Sequence, residues 1–118
     1  MKIWLFAAIN QYEKIYRNSL MVVDDVYNLT SRIFEAYQKR VRAITDHRQQ
    51  FHYASQDQCS QWVPIRFEDY LNSSDYNFLV YEVDINLRKR KLKTEEIIQL
   101  VKTDKKSKKF LTKGMLIS

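Results

Sequence analysis

The sequence predicts an α+β fold, with N-terminal helices packed on a small antiparallel sheet and a short basic C-terminal helix. Three observations carry this expectation. Apolar residues recur at helical spacing through the first fifty positions, an alternating run occupies positions 76–87, and the chain holds one Gly and one Pro. Tight hairpin turns favour Gly at positive φ, so a many-stranded β protein is hard to assemble from this composition. Helices joined by Asn, Ser and Asp loops are easier, and a mostly α bundle is the alternative architecture. With 118 residues, 45% of them hydrophobic, the chain has the size and core content of one domain, 1–118.

From residue 1 to about 51, Leu5, Ile9, Tyr12, Tyr16, Val23, Val26, Ile33, Tyr37 and Ile44 follow a three–four spacing. Asn18-Ser19 and Asn28-Leu29-Thr30-Ser31 are natural capping or turn stretches, which divides this region into two or more helices. The best-formed helix starts near Ile33, with Tyr37, Val41, Ile44 and Phe51 on its stripe and Lys39, Arg40 and Arg42 mostly outside it. Glu35 supports Lys39 one turn later. Tyr53 to Ser60 is polar and reads as a connection. Trp62 to Phe67 reads as a short strand that Pro64 confines to a sheet edge. Glu68 to Asn77 then makes a long hairpin connection to the strand Tyr76 to Leu87, where Leu79, Tyr81, Val83, Ile85 and Leu87 share one face. Thr94 caps a helix running to Val101 or Lys102, with Glu95 and Glu96 in its first turn. Phe110 to Ile117 fits either a final strand or a short helix.

Cys59 is the only cysteine, which excludes an intrachain disulfide and points to a reducing, cytoplasmic compartment. Lys2 followed by the apolar run Ile3 to Ile9 has a faint signal-peptide character. That run is too short to span a bilayer and leads into polar residues without a small-residue cleavage site, so no membrane association is expected.

Charge is distributed unevenly. Residues 1–87 hold nine Lys/Arg and eleven Asp/Glu, whereas residues 88–118 hold eleven Lys/Arg and three acids. The whole net charge of +6 therefore originates in the last quarter of the chain. The basic segment 88–113 contains Arg88, Lys89, Arg90, Lys91 and Lys93, then Lys102, Lys105, Lys106, Lys108, Lys109 and Lys113. Such clusters attract phosphate backbones because binding releases condensed counterions, and Phe110 beside Lys109 offers a surface for base stacking. A solvated, charge-rich surface is the plainer reading of the same residues. A helix-turn-helix over Thr94 to Lys113 is a weak match, because Lys102-Thr103-Asp104 stands where a small turn residue belongs.

His47 and His52, close to Arg48, suggest acid–base cleavage of a phosphodiester. On one helix their five-residue separation sets them about 140° apart, against a shared site. His47, His52 and Cys59 match no standard zinc spacing, so no metal ligands are assigned. No glycine-rich phosphate loop or nucleophile motif occurs, so no catalytic residues and no cofactor are assigned either. Of the sixteen aromatics, Tyr12, Tyr16, Tyr37 and Tyr81 fall on apolar stripes and read as core. Trp4, Trp62, Tyr70 and Tyr76 are candidates for a protein-binding surface.

The expected role is a non-enzymatic module that binds nucleic acid or another polyanion through Arg88, Lys89, Arg90, Lys91, Lys93, Lys105, Lys106, Lys108, Lys109 and Lys113. The acidic, aromatic N-terminal part supplies the core and an interface for a homo-oligomer or a protein partner. A protein-docking adaptor or inhibitor is the alternative, and a small ribonuclease using His47 or His52 is a third reading.

Overall fold

A computed structural model describes residues 2–10, 12–50 and 66–114, with side chains described outside 45–50. It is an α+β structure. Strand β1 (Ile3–Ala8) and strand β2 (Met21–Val23) come first, then the long helix α1 (Val26–Gln50). After the undescribed stretch follow helix α2 (Phe67–Ser73), strands β3 (Phe78–Val83) and β4 (Lys89–Lys91), helix α3 (Thr94–Thr103) and a 3-10 turn (Ser107–Phe110). The four strands form one antiparallel sheet in the order β2-β1-β3-β4. No helix among the described residues is long and apolar enough to cross a membrane.

The expected N-terminal helices are corrected in their first part. Residues 3–8, where the sequence suggested a helix or a signal-like run, form an interior strand of the sheet. Strand β1 carries apolar residues on both faces, Trp4 and Phe6 on one and Ile3, Leu5 and Ala7 on the other. Its pattern is therefore a continuous run that periodicity alone does not separate from helix. Trp4 and Phe6 point to the helices, opposite Val23 and Met21 on β2 and Glu82 and Val80 on β3. Leu5 points the other way, between Val22 and Tyr81. The helix expected from near Ile33 is present as part of α1, which starts earlier at Val26, so Asn28 to Ser31 lie inside it and do not divide it. Ile33, Tyr37 and Val41 are buried and Ile44 is half-buried. Phe51 lies outside the described residues.

The predicted connection Glu68 to Asn77 is in its first half the helix α2, so Phe67 opens a helix and does not close a strand. The carboxylate of Asp69 accepts a hydrogen bond from the Arg66 backbone N–H at 3.1 Å, holding the helix start. Positions 62–65 of the predicted edge strand lie outside the described residues. The predicted strand 76–87 is shorter than expected, ending at Val83, where the chain turns back into β4. Helix α3 begins after Lys93, one residue before the expected cap, and the Glu96 carboxylate accepts from the Lys93 backbone N–H at 3.0 Å. Its sequence TEEIIQLVKT carries two acids and one lysine. The basic residues lie before and after it, so the expected basic C-terminal helix is not itself basic. The 3-10 turn, together with a bridge between Gly114 and Arg66, settles the described part of the tail.

The sheet is built without glycine in its turns. Glu13, Asn18 and Leu87 adopt φ between 60° and 69° there instead, and Ser74 does so at the C-terminal end of α2. Scarcity of Gly therefore does not exclude hairpins; it transfers the steric cost to side chains that tolerate the left-handed region less well.

One aromatic cluster joins the layers. Phe67 lies 5.4 Å from Phe34, 5.8 Å from Tyr37 and 6.3 Å from Phe110, centroid to centroid. Tyr70 continues it to Tyr76 and Phe78. The Tyr70 hydroxyl donates to Asn77 Oδ1, and Asn77 Nδ2 donates to the Ala36 carbonyl at 3.0 Å, tying α2, β3 and α1 together. Burial raises the Tyr70 phenol well above its ordinary range and pushes Tyr76 up to about 12. Both groups are neutral when folded at a pH where the unfolded chain already ionises them. The unfolded state then binds fewer protons, so stability falls as pH rises from about 10 towards 12. Thermal melts across that window should show a progressive drop for wild type and a smaller drop for Tyr76→Phe.

Candidate nucleic-acid interface

The basic residues fall into two clusters at the two ends of α3. In the hairpin β3–β4, Lys89 pairs across the ladder with Val83 and Lys91 with Tyr81. Both lysines therefore project from the face turned away from the helices. Arg90 projects to the helix side, where its guanidinium reaches the Glu96 carboxylate at 2.8 Å and Glu82 at 3.8 Å. Those contacts, with the Lys93 backbone N–H first, hold the Glu96 carboxyl below the usual carboxylate range. Arg90 thus differs from its neighbours: it closes β4 onto α3 and has two carboxylates in reach.

The second cluster surrounds the end of α3. Lys102, Lys105, Lys106, Lys108 and Lys109 are exposed on the last turn of the helix and the 3-10 turn, and Lys113 follows. Asp104 shapes this end: its carboxylate accepts from the Ser107 backbone N–H at 2.9 Å and from the Ser107 hydroxyl at 2.6 Å. Helix α3 has ten residues, so its own two ends are about 15 Å apart at 1.5 Å per residue. Among the described residues, the side chains of Arg88, Lys89, Lys91, Lys93, Lys102, Lys105, Lys106, Lys108, Lys109 and Lys113 are exposed and form no ion pair. Cations held apart from carboxylates keep their field for an external anion.

Phe110 is not available for base stacking. It is buried against Tyr27, Phe34 and Phe67, and Lys113 Nζ lies 4.7 Å from its ring centroid. The helix-turn-helix reading also fails, because the second helix is a four-residue 3-10 turn, too short to lie along a groove.

The aromatic assignment holds for Tyr37, which is fully buried, and is inverted at Trp4, Tyr70, Tyr12 and Tyr16. Trp4 and Tyr70 are buried and Tyr76 is half-buried, whereas Tyr12 and Tyr16 are exposed on the β1–β2 loop beside Ile15 and Leu20. Trp62 lies outside the described residues. The same loop and α1 border an open cleft of about 890 Å³ that contains Arg32, Lys39 and Arg40 but also Glu13, Glu35 and Asp75. Arg40 is bound to Asp75 at 2.8 Å and Arg32 lies 3.4 Å from Glu35, so this cleft has no excess of positive charge. His52, Cys59 and the side chain of His47 lie outside the described residues, and the ribonuclease reading with them. Among the described residues no cluster of His, Cys, Asp and Glu is suited to a metal ion.

The hairpin tip is the feature that sequence reasoning missed. Ile85 and Leu87 were placed on a strand face, but they stand on the turn, 95% and 79% exposed. Leu87 has φ 62°, a region that costs a side chain with a Cβ about 1–2 kcal/mol. Gly relieves that cost while adding unfolded-chain entropy of roughly 0.5–1 kcal/mol. Leu87→Gly should therefore raise stability by about 1 kcal/mol or somewhat less, measured by urea unfolding. A loss of stability would mean that the Leu87 side chain contributes packing that its exposure does not reveal.

No protein-family model matches the chain, and no curated protein or solved structure matches it.

Proposed function

We propose that the chain binds nucleic acid, as a non-enzymatic module, through the exposed cations at the two ends of α3. The observation that supports this most is that ten cations gathered within residues 88–113 are exposed and form no ion pair among the described residues. A surface laid out for solubility alone gains from interspersed signs. Here one sign is gathered at the two ends of a ten-residue helix.

The binding is electrostatic and largely independent of base sequence, since lysines on exposed turns contact phosphates and carry little base readout. Anisotropy of a labelled oligonucleotide, single-stranded and duplex, at about 50 mM salt tests it. Micromolar or tighter binding is expected, and no binding by either form would remove the reading. The exposed Tyr12, Ile15, Tyr16 and Leu20 favour a second reading, in which the β1–β2 loop docks on a protein. Tyr12→Ser/Tyr16→Ser should leave oligonucleotide binding unchanged if the two surfaces are separate.

A further inference from the structure

We infer that the tip of the β3–β4 hairpin enters duplex nucleic acid, with Ile85 and Leu87 acting as apolar wedges at a base step. Arg88 and Lys89 would then lie on the flanking phosphates. The inference rests on the nucleic-acid reading above and narrows its ligand to a duplex that the protein kinks.

Single exposed aliphatics are ordinary on protein surfaces and carry no message. This turn combines three features. Two of them, the positive φ and the side-chain bracing, recur at the Asn10 turn of the β1–β2 loop, where Asn10 Oδ1 accepts from the Tyr12 and Lys14 N–H groups. The two aliphatics of the hairpin tip are the most exposed large hydrophobics among the described residues. One of them is kept at φ 62°, where a side chain is tolerated only at a steric cost and where functional sites concentrate. The turn is also prearranged by one residue. The Asp84 carboxylate accepts from the Asn86 N–H at 2.8 Å and the Arg88 N–H at 2.9 Å, and the Leu87 N–H reaches the Asp84 carbonyl at 2.9 Å. Ile85 and Leu87 are thus held at the tip of a braced turn, and little ordering remains for binding to supply.

The chemistry of the tip selects the ligand. Leu and Ile are among the side chains that unstack a base step when flanked by cations, bending the duplex so that more of it meets the protein. Single strands are held instead by aromatic faces on which bases stack. The turn 84–88 has no aromatic residue. The lysines beyond α3 then meet the phosphates that the bend brings round.

The test uses a duplex of about 30 base pairs with dyes at its two ends and a central TA step, which is easily kinked. Wild type should raise energy transfer between the ends on binding. Ile85→Ser/Leu87→Ser should melt like wild type, still bind but with a shallower salt slope because the lysines beyond α3 lose the phosphates that the bend brings round, and leave the ends apart. Binding by wild type without a change in transfer, or an equal change with the double variant, would overturn this inference alone. Failure of wild type to bind any oligonucleotide would overturn it together with the nucleic-acid reading. Co-sedimentation with phosphatidylserine vesicles that depends on Ile85 and Leu87, with the duplex left straight, would assign the tip to a lipid surface and overturn it as well.

Discussion

Replacing Lys105, Lys106, Lys108 and Lys109 together by Gln is expected to flatten the salt dependence of nucleic-acid binding by about 3.6 units of log K per decade, at about 0.9 per lost phosphate contact. The loss should be about two orders of magnitude larger at about 50 mM salt than at about 200 mM, since about 3.6 units per decade act over roughly 0.6 of a decade. The fold should survive. All four side chains are exposed and none forms an ion pair among the described residues. The matching control replaces Lys14, Arg17, Lys39 and Arg42, which are also exposed and unpaired among the described residues but lie away from α3. Equal charge is removed in both, so a difference in slope reports position and not net charge. Arg90 is left in place in every variant, since its contacts to Glu82 and Glu96 make it part of the fold.

The largest expected loss of stability is at Phe67. Phe67→Ala should cost about 3–5 kcal/mol, the range for removing a buried aromatic ring. Such a loss is a large share of the roughly 5–15 kcal/mol available to a domain of this size, and should lower the melting temperature by about 10–20 °C. The physical reason is the position of the ring. It is fully buried and lies within 6.5 Å of Phe34, Tyr37, Tyr70 and Phe110, which come from α1, α2 and the 3-10 turn. Removing it leaves a cavity at the point where those three elements meet, and the long helix on one side limits collapse. Phe67→Leu, which keeps most of the volume, should cost only about 1–1.5 kcal/mol. A melting temperature unchanged in Phe67→Ala would mean that the cluster does not hold α2 against α1.

The legible parts of this chain were those with one clean period. Ile33, Tyr37 and Val41 repeat every four residues and do form the buried stripe of α1; Leu79, Tyr81 and Val83 alternate and do form β3. Strand β1 was misread because both of its faces are apolar, with Trp4 and Phe6 on one and Ile3, Leu5 and Ala7 on the other, which erases the alternation. Helix α2 was misread because FEDYLNS is short and its buried residues, Phe67, Tyr70 and Leu71, give barely two turns of signal. For the surface, charge asymmetry in the sequence already located the cations. It did not distinguish Arg90, whose partner Glu96 is six residues away and meets it only once β4 folds onto α3. Nor did it identify the tip, because Ile85 and Leu87 continue the alternation of β3 beyond the point where Asp84 turns the chain.

The most direct measurement is the slope of log K against log salt for wild type on a short duplex between about 50 and 200 mM. Contact of about six phosphates by the two cation clusters requires a slope near −5.4 and an affinity loss of about a thousandfold over that range. A slope near zero, or no detectable binding at the lowest salt, would contradict the account.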